Sequence, residues 1–304
     1  MEMAGMGGGW HGRAGVITLD ALNAASPADF TAALAEVFEH APWVAARAAA
    51  ARPFPAVAAL HAAMFAAVEA APLDEQVRFL AGHPELAGAA ARQGTMAAFS
   101  AGEQASLGLD RWDDAAFDAM NRDYRARFGI PFILCVRRHG RASLLRQLTR
   151  RLGGTPDGER AAALAEVFLI TRLRIAALVS GPGMPEVHGR LSTHVLSTAL
   201  ARPGAGIPVA LYSLDSGQPA LLSQGVTNAD GRTETPLLHG APLRIGEYEL
   251  QFQVAAYFAG TGLPQADPPF LDTIPVRFSI SEPEAHYHVP LLVSPGTYTT
   301  YRGS

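Results

Sequence analysis

The segment Ser180-Gly181-Pro182-Gly183-Met184-Pro185 separates two stretches whose apolar residues recur with different periods. Regular structure crosses such a run poorly, because proline lacks an N–H and glycine loses the most backbone entropy on ordering. Before it the spacing is helical. Ser26-Pro27 supplies an N-cap and a first-turn proline ahead of Phe30, Leu34, Val37 and Phe38. The period returns at Leu60, Met64 and Val68, and along Leu164, Val167, Phe168, Thr171, Ile175 and Leu178. After the segment the period is two: Val209 and Leu211, then Tyr248, Leu250, Phe252, Val254 and Ala256, then Val276, Phe278 and Ile280. Asp230-Gly231 reads as a tight turn between two of these strands. The expected organisation is a multidomain α and β chain: a disordered tail over 1–15, an all-α domain over 16–179, a linker over 180–189 and an antiparallel β sandwich over 190–304.

A length of 304 residues leaves room for two such cores, and 49% apolar with 17% charged residues describes globular protein. The net charge of -4 gives no reason to expect a nucleic acid partner. Arg137, Arg138, Arg141, Arg146, Arg150 and Arg151, on an expected strand and helix, read as a solvated face. The chain has no lysine, which excludes Schiff-base nucleophiles, an internal pyridoxal phosphate linkage and a phosphate-loop lysine. Cys135 is the single cysteine, within the apolar run Phe132 to Val136, so it reads as a small buried hydrophobe. It permits neither an intrachain disulfide nor a multi-thiolate metal site. No secretory signal and no apolar run of ~18 to 20 residues is seen, so a soluble cytoplasmic protein without a membrane partner is expected.

Three basic residues stand out in the second half: His194, Arg232 and His288. His286 and His288 are two apart on an expected strand and share a face. Spacing alone leaves a basic site, solvent-facing histidines or a zinc site lacking an obvious third ligand all open. The motifs Leu191-Ser192-Thr193-His194-Val195-Leu196, Thr227-Asn228-Ala229-Asp230-Gly231-Arg232-Thr233 and His286-Tyr287-His288-Val289-Pro290-Leu291-Leu292 go further. With the terminal Tyr301-Arg302-Gly303-Ser304, they resemble the transthyretin-related 5-hydroxyisourate hydrolases from about residue 190 onward. The tetrapeptide distinguishes those hydrolases from transthyretin. Ser294-Pro295-Gly296-Thr297-Tyr298 departs from the family, which commonly has tryptophan and glycine after the proline. The resemblance implies a transthyretin-like sandwich whose site combines His194, Arg232 and His288 with Tyr301, Arg302, Gly303 and Ser304. Opening a cyclic acyl-urea needs an activated water and support for the oxyanion. That places His288 as base or water activator, His194 in proton exchange and Arg232 on the anionic substrate.

In the first half, His83 precedes Pro84, which could open a helix, and Ser100-Ala101-Gly102-Glu103 fits a capping box. Arg174 lies on a largely apolar helix face and could snorkel from the core edge. Taken together, these patches match a family. Residues from about Leu22 to Leu178 resemble 2-oxo-4-hydroxy-4-carboxy-5-ureidoimidazoline (OHCU) decarboxylases. The match runs through Arg52-Pro53-Phe54, His83-Pro84-Glu85-Leu86-Ala87-Gly88, Ser100 with Glu103-Gln104, Asn121 with Tyr124, Phe128-Gly129-Ile130-Pro131-Phe132-Ile133 and Arg172-Leu173-Arg174. Arg137-Arg138-His139-Gly140 departs in composition from the family's loop. The resemblance implies catalysis by His83, Glu103 and Arg174, substrate contacts from Ser100 and Gln104, and backbone bonds near Ile133. Neither a cofactor nor a metal is implied.

The two implied reactions are consecutive and end at (S)-allantoin. The families imply a homo-oligomer with a hydrolase tetramer and decarboxylase dimers, and a functional coupling to urate oxidase. A different reading is a ligand-binding transthyretin-like module fused to a structural helical oligomerisation domain.

Overall fold

A computed structural model describes residues 15–109 and 115–303; the expected disordered tail falls on 1–14, outside the described residues. Contacts divide the chain into a helical unit, residues up to Ile133 with Pro156–Pro185, and a β unit, Leu134–Thr155 with Glu186–Ser304.

The helical unit contains α1 (Leu19–Ala24), α2 (Pro27–Leu34), α3 (Pro42–Ala48), α4 (Val57–Glu69), α5 (Leu73–Ala81), α6 (Ala89–Gln93), α7 (Ala98–Ala105) and α8 (Ala115–Phe128). Ser26 caps α2 by accepting from the Asp29 N–H at 3.1 Å. Leu60, Met64 and Val68 of α4 are fully buried, each contributing about 1.5–3 kcal/mol of apolar transfer. No side chain caps α4. Instead, the carbonyls of Pro182 and Gly183 accept from the N–H groups of Val57 (2.9 Å) and Ala58 (3.0 Å). The first half of the expected linker is thus packed structure. Strands β1 (Ile17–Thr18) and β2 (Val179–Ser180) form a short parallel pair in the same unit.

In the β unit, strands β3 (Gly189–Ser197), β4 (Arg202–Pro203), β5 (Pro208–Ser213), β6 (Ala220–Val226), β7 (Leu238–Ala241), β8 (Gly246–Gln253), β9 (Thr273–Ile280), β10 (His286–Ser294) and β11 (Thr297–Thr300) form two sheets. One has the order β11-β10-β3-β4 with β7 also on β3; the other is β6-β5-β8-β9. Their inner faces share a core that includes Leu191, Val195, Leu211, Leu250, Phe252 and Leu291. Pairing is antiparallel except between β3 and β10, which run parallel with Ser192 opposite His288.

Helix α9 (Arg141–Leu152) belongs to the β unit, although its sequence lies in the helical half. The Asp215 carboxylate accepts from the N–H groups of Arg141 and Ala142, capping α9. The backbones of Arg138 and Gly140 bond Ile245, and Arg138 pairs with Glu284 at 2.7 Å. No local periodicity announces these contacts. Helix α10 (Pro156–Leu178) returns to the helical unit. No strand forms around Phe132: residues 131–135 are irregular and Val136–Arg138 make a single 3-10 turn.

One period-two expectation also fails. Strand β8 ends at Gln253, because Val254 enters αR and starts the short helix α11 (Ala255–Ala259). The Asp230-Gly231 turn forms but does not return a hairpin partner to β6. Asn228 Oδ1 accepts from the N–H groups of both Asp230 and Arg232 at 3.1 Å, closing a side-chain turn. Arg232 then makes a lone bridge to His194 on β3.

Candidate active sites

Within the helical unit, α7 and α10 bring Ser100, Glu103 and Arg174 together, all buried. Arg174 donates from Nε to Glu103 Oε1 at 2.8 Å and from Nη2 to Oε2 at 2.7 Å, a bidentate pair. Nη2 also reaches Ser100 Oγ at 3.0 Å. The capping-box reading of Ser100 and Glu103 is overturned: α7 begins at Ala98, so both lie inside the helix and face Arg174. Arg174 does not snorkel either. Burial alone opposes its charge, but Glu103 and Glu39 more than offset this and raise its pKa.

Glu39 was not legible as a site residue. It lies between α2 and α3, is buried, accepts from the Ser100 hydroxyl and stands 3.5 Å from Arg174 Nη2. Only its position beside Phe38 on an apolar stretch hinted that the carboxyl is carried inward.

His83 follows the end of α5, and Pro84 opens a turn, not a helix. The His83 Nδ1 lies 3.1 Å from the Phe79 carbonyl, which can only accept, so Nδ1 carries the proton and Nε2 is the basic nitrogen. Burial, reinforced by the Arg174 charge, lowers its pKa to about 4, so the ring is neutral at neutral pH. The Gln104 amide is engaged with backbone: Oε1 accepts from Ala87 N–H at 2.8 Å and Nε2 donates to the Glu85 carbonyl at 3.1 Å. Asn121 donates to the Leu86 carbonyl at 3.0 Å. Together they hold the 83–88 turn. Ile133 is buried in the irregular segment after α8.

Within the β unit, His194 comes from β3, His288 from β10, and Arg232 from the loop closed by Asn228. Gly231 has φ +74°, and a Cβ there would stand 3.1 Å from His194 Cδ2, so glycine lets Arg232 approach β3. Arg190, Ser192, Thr193, Arg232, Thr233 and His286, with Pro236, line a cavity of about 250 Å³. Burial and then Arg232 lower the pKa of both His194 and His288. Their neutral imidazoles are therefore the dominant forms at neutral pH.

Of the terminal residues, Gly303 is tied to the site. Its N–H donates to the His288 carbonyl at 2.8 Å, and a Cβ there would lie 2.8 Å from His288 Cδ2. Tyr301 is exposed, and Arg302 turns to Glu282 at 2.7 Å and to the Tyr287 ring, so neither side chain lines the cavity. Ser304 lies outside the described residues. Among the described residues, no group of three or more His, Cys, Asp or Glu is placed to hold a metal.

Comparison with known proteins also divides the chain in two, but with α9 inside the first match. The OHCU decarboxylase family model matches residues 23–176, and the HIUase/Transthyretin family model matches 191–303. A 5-hydroxyisourate hydrolase of Mesorhizobium japonicum is 53% identical over 38% of this chain and 93% of its own. An OHCU decarboxylase of Haloferax volcanii is 37% identical over 53% of this chain and 95% of its own. A crystal structure of an (S)-allantoin synthase aligns over 95% of this chain and 100% of its own, at 33% identity and a TM-score of 0.51. The chain belongs to the OHCU decarboxylase family through its helical half and to the HIUase/transthyretin family through its β half.

Proposed function

We infer that this protein is a bifunctional enzyme of urate degradation, converting 5-hydroxyisourate through OHCU to (S)-allantoin. The observation that carries the reading is the match to an (S)-allantoin synthase along nearly the whole chain, with both halves retained in one polypeptide. The β half hydrolyses the cyclic acyl-urea. Water adds to the carbonyl carbon, the ring C–N bond breaks and the leaving nitrogen takes a proton. Arg232 holds the anionic substrate and the developing oxyanion, while His194 and His288 exchange the protons.

The helical half decarboxylates the product without a cofactor. The substrate's own carbonyl, adjacent to the carbon that loses carbon dioxide, accepts the electron pair. Arg174 Nη1 makes only a long 3.4 Å bond to the Val37 carbonyl among the described residues, so it is the donor most available to an anionic oxygen. His83 Nε2 and Glu103 handle the protons. Ser100 positions Arg174, and Gln104 shapes the turn that presents His83. Ile133 contributes backbone bonds to the substrate, and Tyr301, Arg302, Gly303 and Ser304 complete the hydrolase site. A homo-oligomer with hydrolase tetramers and decarboxylase dimers, a cytoplasmic location and coupling to urate oxidase complete the proposal. No single helix among the described residues is long and apolar enough to cross a membrane.

The test is urate turnover by urate oxidase, followed by carbon NMR and circular dichroism with and without this protein. Rapid loss of both intermediates and single-handed allantoin are expected. Uncatalysed decay cannot choose a face of the planar intermediate, so racemic product at an unchanged rate refutes the reading.

A further inference from the structure

A continuous hydrogen-bonded chain runs along the face shared by β3 and β10. Arg190 Nη2 is 3.2 Å from His286 Nδ1, His286 Nε2 is 2.8 Å from Ser192 Oγ, and Ser192 Oγ is 3.0 Å from His288 Nδ1. The parallel register, which sets Arg190 opposite His286 and Ser192 opposite His288, builds it. Its polarity follows from what each group can do. A guanidinium only donates, so His286 Nδ1 accepts and its neutral ring carries the proton on Nε2. That Nε2–H donates to Ser192 Oγ. The serine has one hydroxyl proton, and the two histidines are its only hydrogen-bond partners among the described residues. Donating to His288 Nδ1 satisfies every donor and acceptor in the chain; the reverse direction leaves the hydroxyl proton without an acceptor.

We propose that Arg190, His286 and Ser192 are positioning residues that hold His288 as the Nε2–H tautomer, making it a hydrogen-bond donor to the leaving group and not the base. This rests on the hydrolase reading above and reverses the role given to His288 from sequence. Its Nε2–H supports the leaving group through a hydrogen bond as the C–N bond breaks, and the proton stays on the neutral ring. His194, the remaining imidazole, takes the proton of the attacking water and delivers it to the leaving nitrogen, which returns His194 to its neutral form. One water is consumed and no oxidant is needed. Burial followed by Arg190 lowers the His286 pKa, and burial followed by Arg232, His286 and His194 lowers that of His288. Neutral tautomers are therefore the relevant species at neutral pH.

The experiment is a proton–nitrogen long-range correlation spectrum of the full chain with heavy-nitrogen histidine, together with hydroxyisourate kinetics. His288 and His286 should both show a protonated Nε2 and an unprotonated Nδ1. Ser192→Ala should erase the His288 preference and lower kcat about tenfold with KM little changed, since one hydrogen bond sets a tautomer ratio of about that size. Ser192→Thr, which keeps the hydroxyl, should restore both. A wild-type His288 protonated on Nδ1 overturns the proposal without needing any variant to fold. Full activity in a folded Ser192→Ala protein overturns it as well. If wild-type protein fails to hydrolyse hydroxyisourate, the hydrolase reading falls instead, and the spectrum still decides the tautomer.

Discussion

Glu103→Gln probes the buried Arg174–Glu103 ion pair of the helical unit. The glutamine keeps the shape and one accepting oxygen, but it removes the charge and turns an NH₂ group toward the Arg174 donors. Removing one partner of a buried pair costs about 3–5 kcal/mol when the other charge is left alone. Arg174 is not left alone, because Glu39 Oε2 stands 3.5 Å away. The expected loss is therefore about 2–3 kcal/mol. With a urea slope of about 2 kcal/mol per molar, the helical midpoint falls by roughly 1–1.5 M. Glu39→Gln leaves the bidentate pair intact and should cost about 1 kcal/mol. The double variant strands a buried cation, so its loss should exceed the sum of the singles by about 1 kcal/mol or more. Urea unfolding followed by far-ultraviolet circular dichroism reads all three, and decarboxylation should be lost with Glu103→Gln. A single-variant loss below about 0.5 kcal/mol, or strict additivity, would refute the shared-cation picture.

The two activities should separate: His83→Ala should block decarboxylation yet leave hydroxyisourate consumption intact, and Arg232→Ala should do the reverse, as followed by ultraviolet absorbance. Loss of both activities in either folded variant contradicts two independent sites. Acid should destabilise both units. His61 and His139, each buried, have pKa values lowered from 6.5 to about 4, chiefly by burial and then by Arg172 for His61 and Arg138 for His139. The native state binds fewer protons than the unfolded chain. The stabilisation is therefore full above ~6.5 and lost as pH falls toward about 4, by about 3 kcal/mol per ring. A urea midpoint unchanged between those pH values contradicts it. Gly303→Ala should push His288 aside and lower hydrolysis at least about tenfold with decarboxylation unchanged, and deletion of Tyr301 to Ser304 should do the same. A fully active hydrolase in either variant removes the chain end from the site.

Helical spacing in Leu60, Met64 and Val68, and alternation in Val209, Leu211, Leu250 and Phe252, were enough to place the two cores, because burial along one face is a local property of the chain. The motifs around His83, Ser100, His194, Arg232 and His288 were legible for a related reason: each is a short run whose spacing survives in one dimension. What no such run contains is the partner across space. Ser100 and Glu103 fitted a helix cap until α10 carried Arg174 against them. Glu39 and Ser192 gained their positions only from distant elements, and the residues capping α9 and α4 come from Asp215 and from the carbonyls of Pro182 and Gly183. Their energies depend on low local dielectric and on which donor meets which acceptor, and folding alone sets both. The sequence by itself determined the two families, the two cores and most of the candidate reacting groups; tertiary structure decided which groups are charged, which face each other and in which direction their protons point.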